Sequence, residues 1–116
     1  MPRPSTNALE VCTRALRLRS LPILSEGLGA YLRSNEPVQD ARDVMVGLAP
    51  FHDCVRRLGA DPAIMFDEAA RGLGPELAEI ARTFGRRSDV TPRAFGYAVE
   101  VQADGPMYRW GPVGSD

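Results

Sequence analysis

Apolar residues recur at helical spacing along much of the chain, most regularly after Asp40. There they stand at i, i+4, i+7, i+11 and i+14, as Val44, Leu48, Phe51, Val55 and Leu58. This spacing places the five side chains on one face of an α-helix that Asp40 caps and Gly59 ends. Pro50 lies inside the pattern, so we expect a kink or two abutting helices that share the apolar face.

The same spacing predicts four further helices. The first begins after Ser5 or Thr6, and Pro22 interrupts the pattern because its ring cannot continue a helix interior without cost. Two later helices are predicted to begin at Asp61-Pro62, where the aspartate is the cap and the proline lies in the first turn, and at Pro75. The predicted inward positions of these helices are Leu9, Cys12, Leu16, Leu24, Leu28, Tyr31, Leu32, Phe66, Ala69, Ala70, Leu73, Leu77, Ile80, Ala81 and Phe84.

Near the C-terminus the period changes from helical to alternating. Apolar residues alternate with polar or small ones over 97–102, which is strand spacing. A two-residue hairpin turn needs positive φ at both positions, and Asp-Gly is one of the pairs that favour this conformation. Asp104-Gly105 is therefore the predicted turn. The resulting register sets Val101 opposite Tyr108, Val99 opposite Trp110, and Glu100 opposite Arg109. It puts the apolar pairs on one face, which must cover a helix or meet a partner because a lone hairpin is marginal in water.

These elements predict a mainly α fold in a single domain. A bundle of about five helices occupies 5–95 and a β-hairpin occupies 96–110, while the termini, 1–4 and 111–116, are predicted to be loose. A chain of 116 residues is long enough for one hydrophobic core and too short for two.

Composition argues against several classes of protein. The net charge of −1 gives no overall field to hold nucleic acid or an anionic membrane. No stretch approaches the roughly 20 apolar residues of a membrane-spanning helix. Two cysteines, Cys12 and Cys54, are too few for a disulfide-stapled secreted scaffold, so we expect buried free thiols in a cytoplasmic protein.

The stretch APFHDC, 49–54, places the chain's one histidine beside an acid and a thiol. Successive helical residues point about 100° apart, so His52, Asp53 and Cys54 cannot converge on one substrate atom. We predict no catalytic residue here, with His52 at the edge of the apolar face; a small hydrolase using His52 is the third hypothesis. One histidine and two distant cysteines match no metal-ligand spacing, and no glycine-rich stretch forms a phosphate loop. The sequence thus predicts no metal and no cofactor.

Residues 55–71 have the outline of a helix-turn-helix. A recognition helix presents polar or basic groups to the major groove, whereas the second helix here carries Asp61, Asp67 and Glu68, which phosphates repel. A plain helical hairpin is the preferred interpretation. A DNA-binding regulator whose basic N-terminal helix supplies the missing charge is the alternative hypothesis.

The run LAPFHDCVRRLGADPAIMFDEAA, together with RTFGRRSDVTPRAFGY, resembles small helical proteins encoded in actinomycete genomes. The resemblance covers roughly 40–98. Such proteins generally carry no assigned enzymatic activity, and some small bacterial chains of this kind are immunity or antitoxin proteins that bind a cognate toxin. The resemblance implies an interaction protein and transfers no functional residue.

The leading hypothesis is therefore a non-enzymatic protein-binding module of the immunity or antitoxin kind. A preformed surface would occlude the active site of a partner such as a toxin domain, with acids and arginines steering the encounter. All fourteen basic residues are arginine, whose guanidinium makes paired hydrogen bonds to carboxylate or phosphate. Outward acids would mimic phosphate if that toxin were a nuclease; the oligomeric state is left open. The candidate partner-binding residues are Asp53, Asp67, Glu68, Arg86, Arg87, Arg109 and Trp110.

Overall fold

The computed structural model describes residues 6–110, in which five α-helices precede a short 3₁₀ turn and a two-stranded antiparallel sheet. The predicted mainly α fold with a C-terminal hairpin is confirmed. The predicted loose termini lie outside the described residues. The elements are α1 (Thr6–Leu18), α2 (Leu21–Arg33), α3 (Ala41–Arg57), α4 (Pro62–Ala69), α5 (Pro75–Gly85), β1 (Tyr97–Gln102) and β2 (Gly105–Trp110).

Side-chain caps determine where three helices begin. Each cap oxygen accepts a hydrogen bond from an amide that has no partner inside its own helix. Pro22 lies in the first turn of α2, where its fixed φ suits a helix start. The three caps are Ser20 to the Ile23 amide at 3.2 Å, Asp40 to the Arg42 amide at 2.9 Å, and Asp61 to the Ala63 amide at 2.9 Å.

The third helix is the centre of the molecule and contacts each of the other four helices. Its predicted apolar face is confirmed, because Val44, Leu48, Phe51 and Val55 are at most 1% exposed. The helix runs without a break through Pro50, which is itself buried, so two abutting helices do not form there. None of the helices within residues 6–110 is long and apolar enough to cross a membrane.

The hairpin register differs by two residues from the predicted one. The turn is Ala103–Asp104, and the cross-strand pairs include Tyr97 with Trp110, Val99 with Tyr108, and Val101 with Pro106. Gly105 has φ of 122°, whereas Arg19 is the one non-glycine residue of positive φ within 6–110. Asp104 therefore does not take the positive φ that the predicted turn required, and the glycine follows the turn instead of forming its second position.

A shift of two residues keeps every side chain on its predicted face, because the side-chain period of a strand is two. The predicted ion pair also survives as a diagonal contact, in which Arg109 Nη1 donates to Glu100 Oε2 at 2.7 Å. The predicted apolar face is exposed near the turn, where Val101 is 91% exposed, and the side chain of Trp110 on that face lies outside the described part of the structure.

The hairpin covers the helices. Tyr97 and Tyr108 are buried. The Tyr108 amide donates to Thr13 Oγ1 at 2.9 Å, and Arg17 Nε donates to the Pro106 carbonyl at 2.8 Å. The aromatic face of these two tyrosines is therefore part of the core and packs along α1.

Candidate arginine-lined pocket

Arginines that are far apart in the sequence meet at one pocket of about 440 Å³. The walls come from the second half of α3, the start of α4, and the end of α5 with the residues that follow it. We call it the arginine pocket; it is lined by His52, Arg56, Asp61, Pro62, Ala63, Gly85, Arg86, Arg87 and Ser88.

A close approach between α4 and α5 shapes this pocket. A Cβ at Gly85 would lie 2.6 Å from Phe66 Cβ and 3.0 Å from the Pro62 carbonyl oxygen, so only glycine fits without displacing the backbone. The contact brings the capped start of α4 alongside Arg86 and Arg87.

His52 lines the pocket from the protein interior. It is 1% exposed, so its predicted place at the edge of the apolar face is wrong. The reason is that α4 and α5 pack on this side of α3: the imidazole meets Phe66 and Phe84 edge-on, at centroid distances of 5.8 and 5.7 Å.

The hydrogen bonding of His52 assigns its tautomer. Nε2 lies 3.1 Å from the Arg87 carbonyl oxygen, an acceptor, so Nε2 carries the proton of the neutral ring. Nδ1 is buried and has no hydrogen-bond partner within residues 6–110. Burial lowers the pKa of His52 below its ordinary value, an effect that the Arg87 carbonyl partly offsets.

Arg87 is held in place on both its aromatic and its polar sides. Its guanidinium lies 5.4 Å from the Phe84 ring centroid and 5.8 Å from that of Phe95. It also donates two hydrogen bonds of 2.8 Å to Asp89 and thereby lowers the pKa of that carboxyl. Arg87 is thus a well-packed side chain in the wall of the pocket, and the carboxylate of Asp89 compensates most of its charge.

Arg56 and Arg86 are the two uncompensated cations of the pocket. Arg56 lies in the last turn of α3 and Arg86 directly follows α5. Both are exposed, and neither forms an ion pair with any residue that the structure describes. The opposing charge is Asp61, whose carboxylate caps α4. Two arginines that line one hollow and form no ion pair within residues 6–110 can receive an anionic group.

A second hollow of about 510 Å³ shares Arg87 as part of its lining. It is otherwise formed by Arg42, Met45 and Val46 of α3 together with Ala94 and Phe95. Arginines therefore border two neighbouring hollows on one side of α3.

The acid predicted on α3 does not lie on an outward face. Asp53 has a side chain only 13% exposed; it accepts hydrogen bonds from Arg57 Nε at 2.6 Å and from the Tyr108 hydroxyl at 2.8 Å. This correction has a tertiary cause, because β2 brings Tyr108 to this side of α3. The three neighbours His52, Asp53 and Cys54 do turn to different partners, as the helical geometry predicted.

The remaining predicted partner-binding residues are scattered. Asp67 accepts a hydrogen bond from Arg82 Nε at 2.8 Å, while Glu68 is exposed and has no ion pair within the described chain. Arg109 is paired with Glu100, and the side chain of Trp110 lies outside the described part of the structure. Of the predicted set, Arg86 and Arg87 line the same pocket.

Sequence reasoning missed Arg56 as a site residue. The signal was available, because Arg56 lies four positions after His52 and residues so spaced share one helix face. What the sequence lacked was the position of Arg86, thirty residues further along the chain.

The two thiols lie together inside the core, and the hydrogen bond with Cys12 lowers the pKa of the Cys54 thiol. Cys12 and Cys54 are free and fully buried, as predicted, and Cys54 Sγ donates to the Cys12 carbonyl at 3.6 Å. Burial raises the pKa of the Cys12 thiol. Among the described residues, no group of three or more His, Cys, Asp or Glu side chains could hold a metal ion.

Comparison with protein-family models, curated proteins and solved structures finds no match for this chain. Its function is therefore argued from the arginine pocket and the contacts around it.

Proposed function

We propose that this chain is a non-enzymatic protein-binding module that receives an anionic segment of a partner protein in the arginine pocket. The observation that carries the proposal is the convergence of Arg56 and Arg86 on one pocket from two different elements. A guanidinium binds carboxylate or phosphate through paired hydrogen bonds, and an unpaired one loses no existing ion pair when it does so.

The pocket is preformed, which favours binding without a large ordering cost. Arg87 is fixed by Phe84, Phe95 and Asp89, and its carbonyl is held by His52. The two arginines without an ion pair, Arg56 and Arg86, are exposed and so accessible to a partner. Long-range attraction by these cations would steer an anionic partner, and the rigid wall would fix its position.

The buried position of His52 supports a non-enzymatic role. Its Nε2 proton is engaged by a backbone carbonyl and its ring packs between aromatic side chains. A general base needs a nitrogen within reach of a substrate proton. A hydrolase using His52 is therefore the least supported hypothesis.

The narrower proposal is a cytoplasmic bacterial immunity or antitoxin protein that occludes the active site of a toxin domain. It rests on the resemblance over 40–98 to small actinomycete proteins. Phosphate mimicry by the acids of α4 supports this narrower proposal less than the arginines do. Asp67 forms an ion pair with Arg82, so that of the neighbours Asp67 and Glu68 the carboxylate of Glu68 is the one without an ion pair among the described residues.

One observation favours the DNA-binding alternative. Arg56 and Arg86 flank the start of α4, the helix that would enter the major groove. Exposed Glu68 on that helix opposes it, as does the net charge of −1. Binding to duplex DNA at low salt that weakens steeply as salt is added would favour this alternative.

The test is affinity capture from the lysate of the source organism at moderate salt, with three forms of the chain as bait. The wild type is compared with Arg56→Glu/Arg86→Glu and with Arg14→Glu/Arg71→Glu, which makes the same change of charge at exposed arginines outside the pocket. We expect one stoichiometric protein partner on the wild type and the control, and at least about tenfold less on the pocket variant. A partner retained equally by all three baits, or no partner at all, would contradict the proposal.

A further inference from the structure

We propose that the arginine pocket binds a tetrahedral phosphate-class oxyanion, either as free phosphate or as a phosphoryl group carried by a protein. This inference rests on the proposed function for the choice of pocket and adds the chemical identity of the bound group. It requires only the purified chain, so it can fail or succeed independently of any partner.

The placement of the cations favours a tetrahedral anion over a carboxylate. Arg56 approaches the pocket from α3 and Arg86 approaches it from beyond α5. One guanidinium already satisfies a carboxylate, whose two oxygens lie in one plane. A phosphoryl group presents three acceptor oxygens in three directions and carries up to two negative charges, so it can engage both forks at once.

The remaining polar groups fit the same ligand. Ser88 lines the pocket with a hydroxyl that can donate to a phosphoryl oxygen. Asp61 opposes an anion, yet its free carboxylate oxygen can accept a hydrogen bond from a protonated phosphate oxygen. A phosphoryl monoester carries such a proton on part of the molecules near neutral pH, since its second pKa is about 6, and inorganic phosphate, a weaker second acid, carries it on a larger part. Acetate and sulfate have no proton to offer there.

His52 provides a built-in reporter of the pocket. It is the only histidine of the chain, so its imidazole NMR signals are assigned without ambiguity. The ring lines the pocket, and its Nδ1 is buried without a hydrogen-bond partner in the described part of the chain, so that the imidazole responds to a charge that enters the pocket. A bound oxyanion favours the imidazolium form and raises the pKa of His52. The charged groups around it are Asp53, Arg56, Asp61, Arg86, Arg87 and Asp89.

The experiment is an NMR titration of the His52 imidazole in the purified chain with inorganic phosphate, sulfate and acetate at matched ionic strength. We expect a saturable shift with phosphate, at least tenfold weaker apparent binding of sulfate and acetate, and a higher His52 pKa in saturating phosphate. Arg56→Ala/Arg86→Ala should weaken phosphate binding at least tenfold with unchanged backbone amide signals elsewhere. Arg14→Ala/Arg71→Ala, which removes the same charge outside the pocket, should bind phosphate as the wild type does.

Three results would overturn the assignment: no saturable shift with phosphate, acetate binding as tightly as phosphate, or an equal loss in both double variants. If acetate binds equally while capture of the partner still needs Arg56 and Arg86, the phosphoryl inference fails and the protein-binding proposal stands. If phosphate binds but no partner is captured, the phosphoryl inference stands and the protein-binding proposal fails.

A second arm identifies the source of the group, using a phosphoserine peptide and its unphosphorylated form. At least tenfold tighter binding of the phosphopeptide than of inorganic phosphate would support a protein-borne phosphoryl group. Equal affinity would support free phosphate as the ligand.

Discussion

At the scale of single residues, surroundings decide what each titratable side chain can do. His52 and Asp53 are neighbours on α3, but one contacts aromatic rings and a carbonyl while the other contacts a guanidinium and a phenol. His52 is thereby kept neutral, and Asp53 is used as a structural acceptor. Neither is available to a partner in the way an exposed charge would be.

The neutral state of His52 predicts a pH dependence of stability. Because burial lowers the folded pKa below the ordinary value of 6.5, the unfolded chain takes up a proton that the folded chain does not. Well above pH 6.5 His52 is neutral in both the folded and the unfolded chain, so its titration does not affect stability. As the pH drops below 6.5, the free energy of unfolding falls, by at most about 1.4 kcal/mol per pH unit. Urea unfolding at a series of pH values measures this loss.

His52→Gln is the matched control, since its amide can still donate to the Arg87 carbonyl but does not titrate. The variant keeps every carboxylate and should lose less stability than the wild type between pH 7 and 5.5. Parallel pH profiles for the two proteins would show that His52 titrates normally in the fold.

At the scale of elements, the contact between α4 and α5 depends on a missing side chain. Gly85 lets the last turn of α5 approach Phe66 and the Pro62 carbonyl. The same contact positions Arg86 and Arg87, so helix packing and pocket geometry have one origin.

Gly85→Ala should therefore lower the free energy of unfolding by about 1–3 kcal/mol, the usual cost of overpacking a core. Gly29→Ala is the matched comparison, because its nearest new contact is the mobile end of Arg33 at 3.1 Å and a helix interior prefers alanine by roughly 0.5–1 kcal/mol. Thermal or urea unfolding of both variants gives the two values. If the two variants changed the free energy of unfolding equally, the close approach of Phe66 and Pro62 to Gly85 would not be the reason for a glycine at that position.

At the scale of the whole molecule, the hairpin is joined to the bundle by hydrogen bonds over long sequence separations. Tyr108 donates through its amide to Thr13 and through its hydroxyl to Asp53. Tyr97 donates through its hydroxyl to the Val46 carbonyl at 2.5 Å. The hairpin thus contributes to the core and to polar contacts on α1 and α3.

Tyr108→Phe should destabilise the protein by about 1.5–3 kcal/mol, because it removes a half-buried hydrogen bond to a charged acceptor. Arg109→Ala on the neighbouring position of β2 breaks only the exposed pair with Glu100 and should cost less than about 1 kcal/mol. Urea unfolding compares the two variants. A larger loss for Arg109→Ala would contradict the docking role assigned to Tyr108.

Features that depend on neighbouring residues of one helix were predicted more accurately than the pairing of the two strands. The caps at Asp40 and Asp61 and the apolar face of α3 were predicted correctly because each depends on residues within a few turns of one helix. The hairpin register was predicted two residues out, since Gly105 supplies positive φ equally well within a turn or just after one.

The sequence by itself determined the five helices, the caps at Asp40 and Asp61, the apolar face of α3 and the presence of a hairpin with one aromatic face, whereas Leu73, predicted on the inward face of a helix, lies beyond the end of α4 at Ala69. Tertiary structure alone decided that His52 meets Arg87, that Asp53 meets Tyr108, and that Arg56 and Arg86 share a pocket. The physical reason is range. Periodicity and capping act between residues a turn apart, whereas these partners are 35 and 55 positions apart for the two hydrogen bonds. They meet only because apolar burial packs the helices and the hairpin into one core.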